Sequence, residues 1–159
     1  MGKEIERKFL VKDHSYRNNA VACKAYRQGY ISIGPDRIVR VRTDGEKAFL
    51  TLKGHSHGAV RLEYEYEIPL TDAEDILASM CEKPIIEKHR YTVFHEGMAW
   101  EVDEFDGENQ GLYIAEIELE LEDQSLILPP WVGPEVTGDP RYYNANLVKF
   151  PYKSWKQQG

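Results

Sequence analysis

In eight separate stretches of this chain charged and apolar residues alternate with a period of two, and this limits the fold more than any other feature. The first stretch, residues 4–11, sets Glu4, Glu6 and Lys8 against Ile5, Arg7 and Phe9. That is the period of a strand, not of a helix. The other stretches are residues 26–32, 37–43, 48–53, 61–68, 87–93, 98–105 and 113–121. One parity collects Glu4, Glu6, Lys8, Arg40, Arg42, Lys53, Arg61, Glu63, Glu65, Lys88, Arg90, Glu101, Asp103, Glu116, Glu118 and Glu120. The opposite parity is mostly Ile, Leu, Val and aromatic. A single strand of this kind reads equally well as solvent-facing. Its recurrence down the chain asks for one charged surface shared by all the strands.

The segments between the strands are short. Gly34-Pro35-Asp36 and Asp44-Gly45 are turn sequences, and Gly54-His55-Ser56-His57-Gly58 reads as a flexible loop. His55 and His57 lack further ligand-type neighbours there, so they read as an exposed pair and not a metal site. Thr71-x-x-Glu74 is a capping box and predicts a helix that Pro84 stops. Short helices are expected near Ser15 and Asp123, and a last one from Asp139-Pro140 through Leu147.

The expected class is therefore mainly β (α+β): a closed eight-stranded antiparallel β-barrel, with helices packed on its apolar outside and a polar, charged lumen. A sheet with helices on one face and solvent on the other predicts the same periodicity, and only closure separates the two. In an up-and-down barrel the first and last strands are neighbours, so Glu4 and Glu6 would meet Glu116, Glu118 and Glu120. Carboxylates that close must protonate or bind a cation. An all-oxygen cage favours Mg²⁺ or Mn²⁺ over zinc. The basic third, fourth and sixth strands would face them as a wall suited to a compact polyanion.

Composition narrows the class further. A chain of 159 residues fits a single domain over residues 1–159. Its formal charge of -7 argues against non-specific nucleic-acid binding. No apolar run reaches the ~18 residues of a membrane span, and no leader precedes Glu4, so the expected location is cytoplasmic. Cys23 and Cys81 match no metal-ligand spacing and read as reduced thiols.

These residues resemble the CYTH domains, also called triphosphate tunnel metalloenzymes. The resemblance rests on Glu4-x-Glu6-x-Lys8, Gln28-Gly29-Tyr30, Arg40-x-Arg42, Thr51-x-Lys53, Arg61-x-Glu63-x-Glu65, Lys88-x-Arg90, Glu101-x-Asp103 and Glu116-x-Glu118. Its ending, Trp131-x-Gly133-x-Glu135-Val136-Thr137 with Arg141-Tyr142 and Asn144, is similar to the short bacterial members. The resemblance implies a tunnel that binds a triphosphate and acts on it with Mg²⁺ or Mn²⁺. Glu4, Glu6, Glu116 and Glu118 would hold metal, with Glu120 a further ligand. Lys8, Arg40, Arg42, Lys53, Lys88 and Arg90 would clamp phosphates. Arg61, Glu63, Glu65, Glu101 and Asp103 would extend the network and position water or a second metal. Tyr30 matches a lumen tyrosine, read either as a proton acceptor or as a wedge between strand and helix.

The expected activity is hydrolysis of inorganic triphosphate, a small-molecule substrate, to pyrophosphate and phosphate. No extra segment is present to build a base or thiamine pocket. The alternatives are a tunnel enzyme acting on a nucleotide or thiamine triphosphate, and a non-catalytic polyphosphate-binding module. Adenylate cyclase members of the family carry a His-Phe pair upstream of the first glutamates, which has no counterpart before Glu4. A pure polyanion sensor would gain nothing from the glutamates.

Overall fold

The computed structural model describes residues 2–155. Its strands are β1 (Lys3–Val11), β2 (Ala20–Ser32), β3 (Ile38–Thr43), β4 (Ala48–His57), β5 (Val60–Ile68), β6 (Ile86–His95), β7 (Met98–Phe105), β8 (Tyr113–Glu118) and β9 (Val132–Glu135). The helices are α1 (Leu70–Ser79), α2 (Asn144–Lys149) and α3 (Tyr152–Trp155). No helix among the described residues is long and apolar enough to cross a membrane.

The first eight strands close into a ring, β1-β5-β4-β3-β2-β6-β7-β8 and back to β1, with every pairing antiparallel. Closure leaves the ring without edges. The short β9 lies against β1 on the edge opposite β8, since Phe9 pairs with both Ala115 and Glu135.

The ring is closed but not up-and-down. β1 sits between β8 and β5, whereas β2 sits between β3 and β6, so β1 and β2 run in the same direction. Their connection must travel the outside of the barrel. It does so as a short 3-10 turn, Ser15–Asn19, whose Tyr16 is fully buried. The first and eighth strands are neighbours, as expected, but the fifth flanks the first as well.

Three apolar clusters hold this wall. On the β1-β8-β7-β6 side, Phe9, Tyr16, Val93, Trp100, Val102, Ile117 and Trp131 pack together outside the barrel. Phe9 and Trp131 lie 5.6 and 5.8 Å from the Trp100 ring. Val41 and Ala48 pack under Ala73 and Leu77 of α1 on another side. The third cluster gathers Tyr30, Ile38, Ile86, Phe105 and Ile114 with Ala145, Leu147 and Val148 of α2. All five strand residues lie at one end of the barrel, so α2 covers a rim and not a flank.

Helices therefore cover less of the outside than expected, and Leu62, Tyr64 and Tyr66 of β5 remain exposed. No helix forms near Asp123. The Gln124 side chain accepts hydrogen bonds from the backbone of Glu120 and Leu121 at 2.9 and 3.4 Å, a local alternative to helical bonding. The capping box is also absent. Pro69 occupies the cap and its carbonyl accepts from Ala73, so Thr71 already lies inside the first turn. β2 begins at Ala20 because its pairing with β6 runs from there to Gln28. The expected loop at residues 54–58 is mostly strand. β4 continues to His57, a bulge absorbs the irregularity between Lys53 and Ser56, and the turn falls at Gly58 with φ of 61°.

Gly29 is required for steric reasons. A methyl group there would meet Cys81 Sγ at 2.7 Å and Ile85 Cδ1 at 2.9 Å, where the segment after α1 presses on β2. Gly29→Ala is expected to destabilise the fold by about 1–3 kcal/mol, the usual cost of overpacking. Adding Cys81→Ala should return part of that loss in urea denaturation. Equal stability of Gly29→Ala and wild type would refute the contact.

Candidate active site

Because the alternation is strict, closing the ring turns one parity inward. The result is a cavity of about 250 Å³ in which charged side chains make up more than half of the lining residues. Seven basic residues (Lys8, Arg40, Arg42, Lys53, Arg61, Lys88 and Arg90) face seven acidic ones (Glu4, Glu6, Glu63, Glu65, Glu101, Glu116 and Glu118). Equal numbers mean that the field inside depends on which carboxyls keep their protons.

The register decides this. Glu6 lies directly opposite Glu118, and Lys8 opposite Glu116, across the β1-β8 pairing. Lys8 Nζ stands 3.6 Å from Glu116 and 3.7 Å from Glu6, and Arg90 Nη2 stands 3.6 Å from Glu116. Burial works to raise Glu116, yet Lys8 and Arg90 hold it well below the usual carboxylate range. Glu6 takes the opposite course, since burial and the neighbouring Glu116 charge push it well above that range. Burial also raises Glu4, with Lys53 opposing and Glu63 reinforcing the rise, and it raises Glu118 together with Glu4 and Glu101. The carboxyls of β1 and β8 are thus pushed apart, Glu116 toward the ionised form and Glu4, Glu6 and Glu118 toward the protonated form.

The basic side is built in layers. Asp103 is fully buried and takes Arg90 in a two-pronged pair, Nε to Oδ1 at 2.7 Å and Nη2 to Oδ2 at 2.9 Å. Its Oδ2 also accepts from Lys88 Nζ at 2.8 Å. Burial nonetheless pushes Lys88 down to about 7, with Asp103 opposing and Arg90 and Arg42 contributing. Glu65 accepts from Arg40 at 3.2 Å and from Thr51 at 2.8 Å, and Arg42 is 3.8 Å away. Burial, with Arg40 and Arg90 nearby, pulls Arg42 down to about 10. The Nε groups of Arg40 and Arg42 are buried and have no partner among the described residues. Buried N–H groups without acceptors are costly, and an anion in the lumen would satisfy them.

The expected site residues fall into three groups. Glu4, Glu6, Lys8, Tyr30, Arg40, Arg42, Lys53, Arg61, Glu63, Glu65, Lys88, Arg90, Glu101, Glu116 and Glu118 all line the cavity. Asp103 lies behind it, with both oxygens occupied by Lys88 and Arg90. Glu120 is exposed and outside it, because β8 ends at Glu118 and the parity no longer applies. Lining residues outside the expected set include Tyr26, Thr137, Tyr143 and Asn144. Tyr26 shares the parity of Gln28 and Tyr30 and carries Arg42 at 5.0 Å and Arg90 at 5.7 Å from its ring, so alternation alone could have found it. The other three come from the segment after β9, where no strand period exists; of these Thr137 and Asn144 belong to the ending that carries the resemblance, which was not read as part of the site. His55 pairs with Asp36 at 2.6 Å on the surface, as an exposed residue would.

The pKa shifts predict how stability varies with pH in the protein free of metal and substrate. Glu4, Glu6 and Glu118 are raised, so above about 4.5 the folded chain holds more protons than the unfolded one. Stability is then lost as pH rises through their folded values. Lys88, lowered to about 7, has the opposite slope above that point. Glu116 and Asp103, both lowered, act only on the more acid side. The thermal midpoint in chelator is expected to fall from pH 5 toward 7 and then level or rise. A midpoint that climbs across pH 5–7 would contradict the proton placement.

The model of one protein family, the CYTH domain, matches residues 2–146. An inorganic triphosphatase from Acetivibrio thermocellus is 57% identical over 157 residues, covering 99% of this chain and 100% of that protein. One from Nitrosomonas europaea is 40% identical over 149 residues, covering 91% and 96%. The solved crystal structure of an inorganic triphosphatase superposes with a TM-score of 0.66 at 37% identity, over 91% of this chain and 97% of that one. The ring order, the inward parity and these matches lead to one conclusion: the chain belongs to the CYTH domain family.

Proposed function

We propose that this protein hydrolyses inorganic triphosphate to pyrophosphate and phosphate inside its tunnel, with a divalent metal ion, Mg²⁺ or Mn²⁺, as cofactor. One observation carries the reading: a cationic wall with unpartnered buried Arg40 and Arg42 Nε groups faces a wall of carboxyl groups from β1 and β8 across the cavity. Such a lumen accepts a polyanion on one side and offers carboxyl oxygens to a cation on the other. The extensive likeness to relatives that are inorganic triphosphatases supports the substrate.

The donor chemistry fits the metal. Glu4, Glu6, Glu116 and Glu118 offer only carboxylate oxygens, which hard divalent ions prefer. Among the described residues no three acidic or histidine side chains already form a cage. Mg²⁺ is commonly held by one or two carboxylates together with substrate phosphates. When bound, the ion would neutralise charge on the phosphate oxygens and lower the pKa of a coordinated water.

The protein's own groups do the rest. Arg40, Arg42, Lys53, Lys88 and Arg90 align the phosphate chain and offset the charge developing on it, by contacts already in place before reaction. Lys8 sits between Glu6 and Glu116 and keeps Glu116 ionised. Glu65 orients Arg40 and Thr51, and Glu63 orients Lys53 at 3.4 Å. Glu101 makes a single contact, to Arg90 at 3.3 Å, and its side chain is 43% exposed. We assign it to orienting the attacking water. Asp103 we assign to holding Lys88 and Arg90. Tyr30, packed among Ile38, Ile86 and Ala145 with its hydroxyl accepting from Gln28 at 2.8 Å, we assign to the wedge role. Free thiols at Cys23 and Cys81 fit a reducing compartment, the cytoplasm.

The test is phosphate release from tripolyphosphate, ATP and thiamine triphosphate with Mg²⁺, Mn²⁺ or chelator. Fast, metal-requiring release from tripolyphosphate is expected. Equal or faster release from ATP, or release undiminished by chelator, would overturn the proposal.

A further inference from the structure

The segment that closes the α2 rim also reaches the phosphate clamp. Asn144, the first residue of α2, lines the cavity, and its Oδ1 accepts from Lys88 Nζ at 2.8 Å and from Gln28 Nε2 at 3.1 Å. Gln28 is fully buried and also donates through Nε2 to the Tyr30 hydroxyl at 2.8 Å. The direction of this chain is forced. Whenever Lys88 carries its charge it only donates, and the Asn144 amide then turns its oxygen toward it. Turning Gln28 over would set its oxygen against the Asn144 oxygen. Gln28 Oε1 is left without a partner among the described residues, so a buried acceptor stays unpaired while this orientation is kept.

We propose that Asn144 is a positioning residue: by fixing two of the three Lys88 N–H groups together with Asp103, it aims the third into the tunnel, so that seating the α2 rim completes the phosphate clamp. Lys88 is 2% exposed and cannot explore other rotamers in solvent. Its donors go where its two acceptors leave them. Without Asn144 the ammonium would tilt toward Asp103, the remaining acceptor, and away from the substrate. Local packing of α2 does not require this bond, because Ala145, Leu147 and Val148 supply the apolar contact. The inference rests on the triphosphatase reading for what Lys88 holds, but not for how Lys88 is held.

The test uses Asn144→Leu, of similar bulk with no acceptor, and Asn144→Asp, which keeps the acceptor and adds charge. In the ¹⁵N-labelled full chain without substrate, the protected Lys88 ammonium resonance (identified by its absence in Lys88→Arg) should be present in wild type and Asn144→Asp and lost in Asn144→Leu. With tripolyphosphate and Mg²⁺, Asn144→Leu should raise KM about tenfold with kcat within about threefold, the scale of one hydrogen bond to a charged group. Asn144→Asp should keep the wild-type thermal midpoint yet also raise KM, because a carboxylate beside Lys88 cancels its charge. An unchanged resonance in Asn144→Leu, or KM within about twofold in both variants, would overturn the inference. Failure of wild type to turn over tripolyphosphate would instead overturn the proposed function. The two failures are distinct, since the resonance of the substrate-free protein responds to Asn144 in either case.

Discussion

Asp103→Ala, which removes the carboxylate behind the lumen, is expected to lower the thermal midpoint by roughly 10 °C. Removing one partner of a buried ion pair costs about 3–5 kcal/mol, and each kcal/mol is worth about 2–4 °C in a domain of this size. Asp103 is an extreme case because it is fully buried and satisfies two cations at once, Lys88 at 2.8 Å and Arg90 through both oxygens. Both cations also face Arg42, so losing the carboxylate leaves positive charges crowded together. Asp103→Asn keeps the shape but not the charge and should fall between Ala and wild type. Calorimetry at neutral pH decides it, and a midpoint within about 2 °C of wild type for Asp103→Ala would remove Asp103 from the support of the clamp. Added tripolyphosphate should recover part of the loss, since a polyanion neutralises the same cations from the lumen side.

Glu6→Gln is expected to have the reverse profile, with activity reduced on the order of 10²–10³-fold, the range seen when one preorganised electrostatic group is deleted. The fold should be unaffected or slightly steadier. Glu6 in the metal-free protein is pushed well above the usual carboxylate range by burial and Glu116, and glutamine resembles the protonated form that this shift favours. It cannot mimic the ionised form that a cation requires. Phosphate release from tripolyphosphate, paired with thermal midpoints in chelator and in Mg²⁺, separates the two effects. The wild-type midpoint should rise with Mg²⁺ more than that of Glu6→Gln. Wild-type turnover in Glu6→Gln would defeat the assignment of β1 and β8 to the metal.

Much of this site was legible in advance because inward and outward positions alternate along a strand whatever it pairs with. Glu4, Glu6 and Lys8, or Arg40 and Arg42, needed only their own neighbours to be assigned to one face. Legibility ended where the strands did. Glu120 has the parity of Glu118 but follows the last residue of β8 and points into solvent. Asp103 has the parity of Glu101, yet the long cations of β6 fold over it and cut it off from the cavity. Thr137, Tyr143 and Asn144 enter from a segment with no period at all. The capping box at Thr71 was misread because Pro69 started the helix early, and the strand between Ala20 and Tyr26 was overlooked because its pairing with β6 outweighs a weak pattern.

By itself, then, the order of amino acids determined which side chains share a face, because side-chain alternation is a property of each strand alone. Which carboxyl is raised and which is lowered was decided only in three dimensions. Glu6 and Glu116 have the same chemistry and the same parity, but Glu116 has Lys8 and Arg90 at 3.6 Å whereas Glu6 has Lys8 at 3.7 Å and Glu116 itself beside it. Coulomb interactions and burial depend on distance in space, and those distances came into being only when β1 closed the ring between β8 and β5.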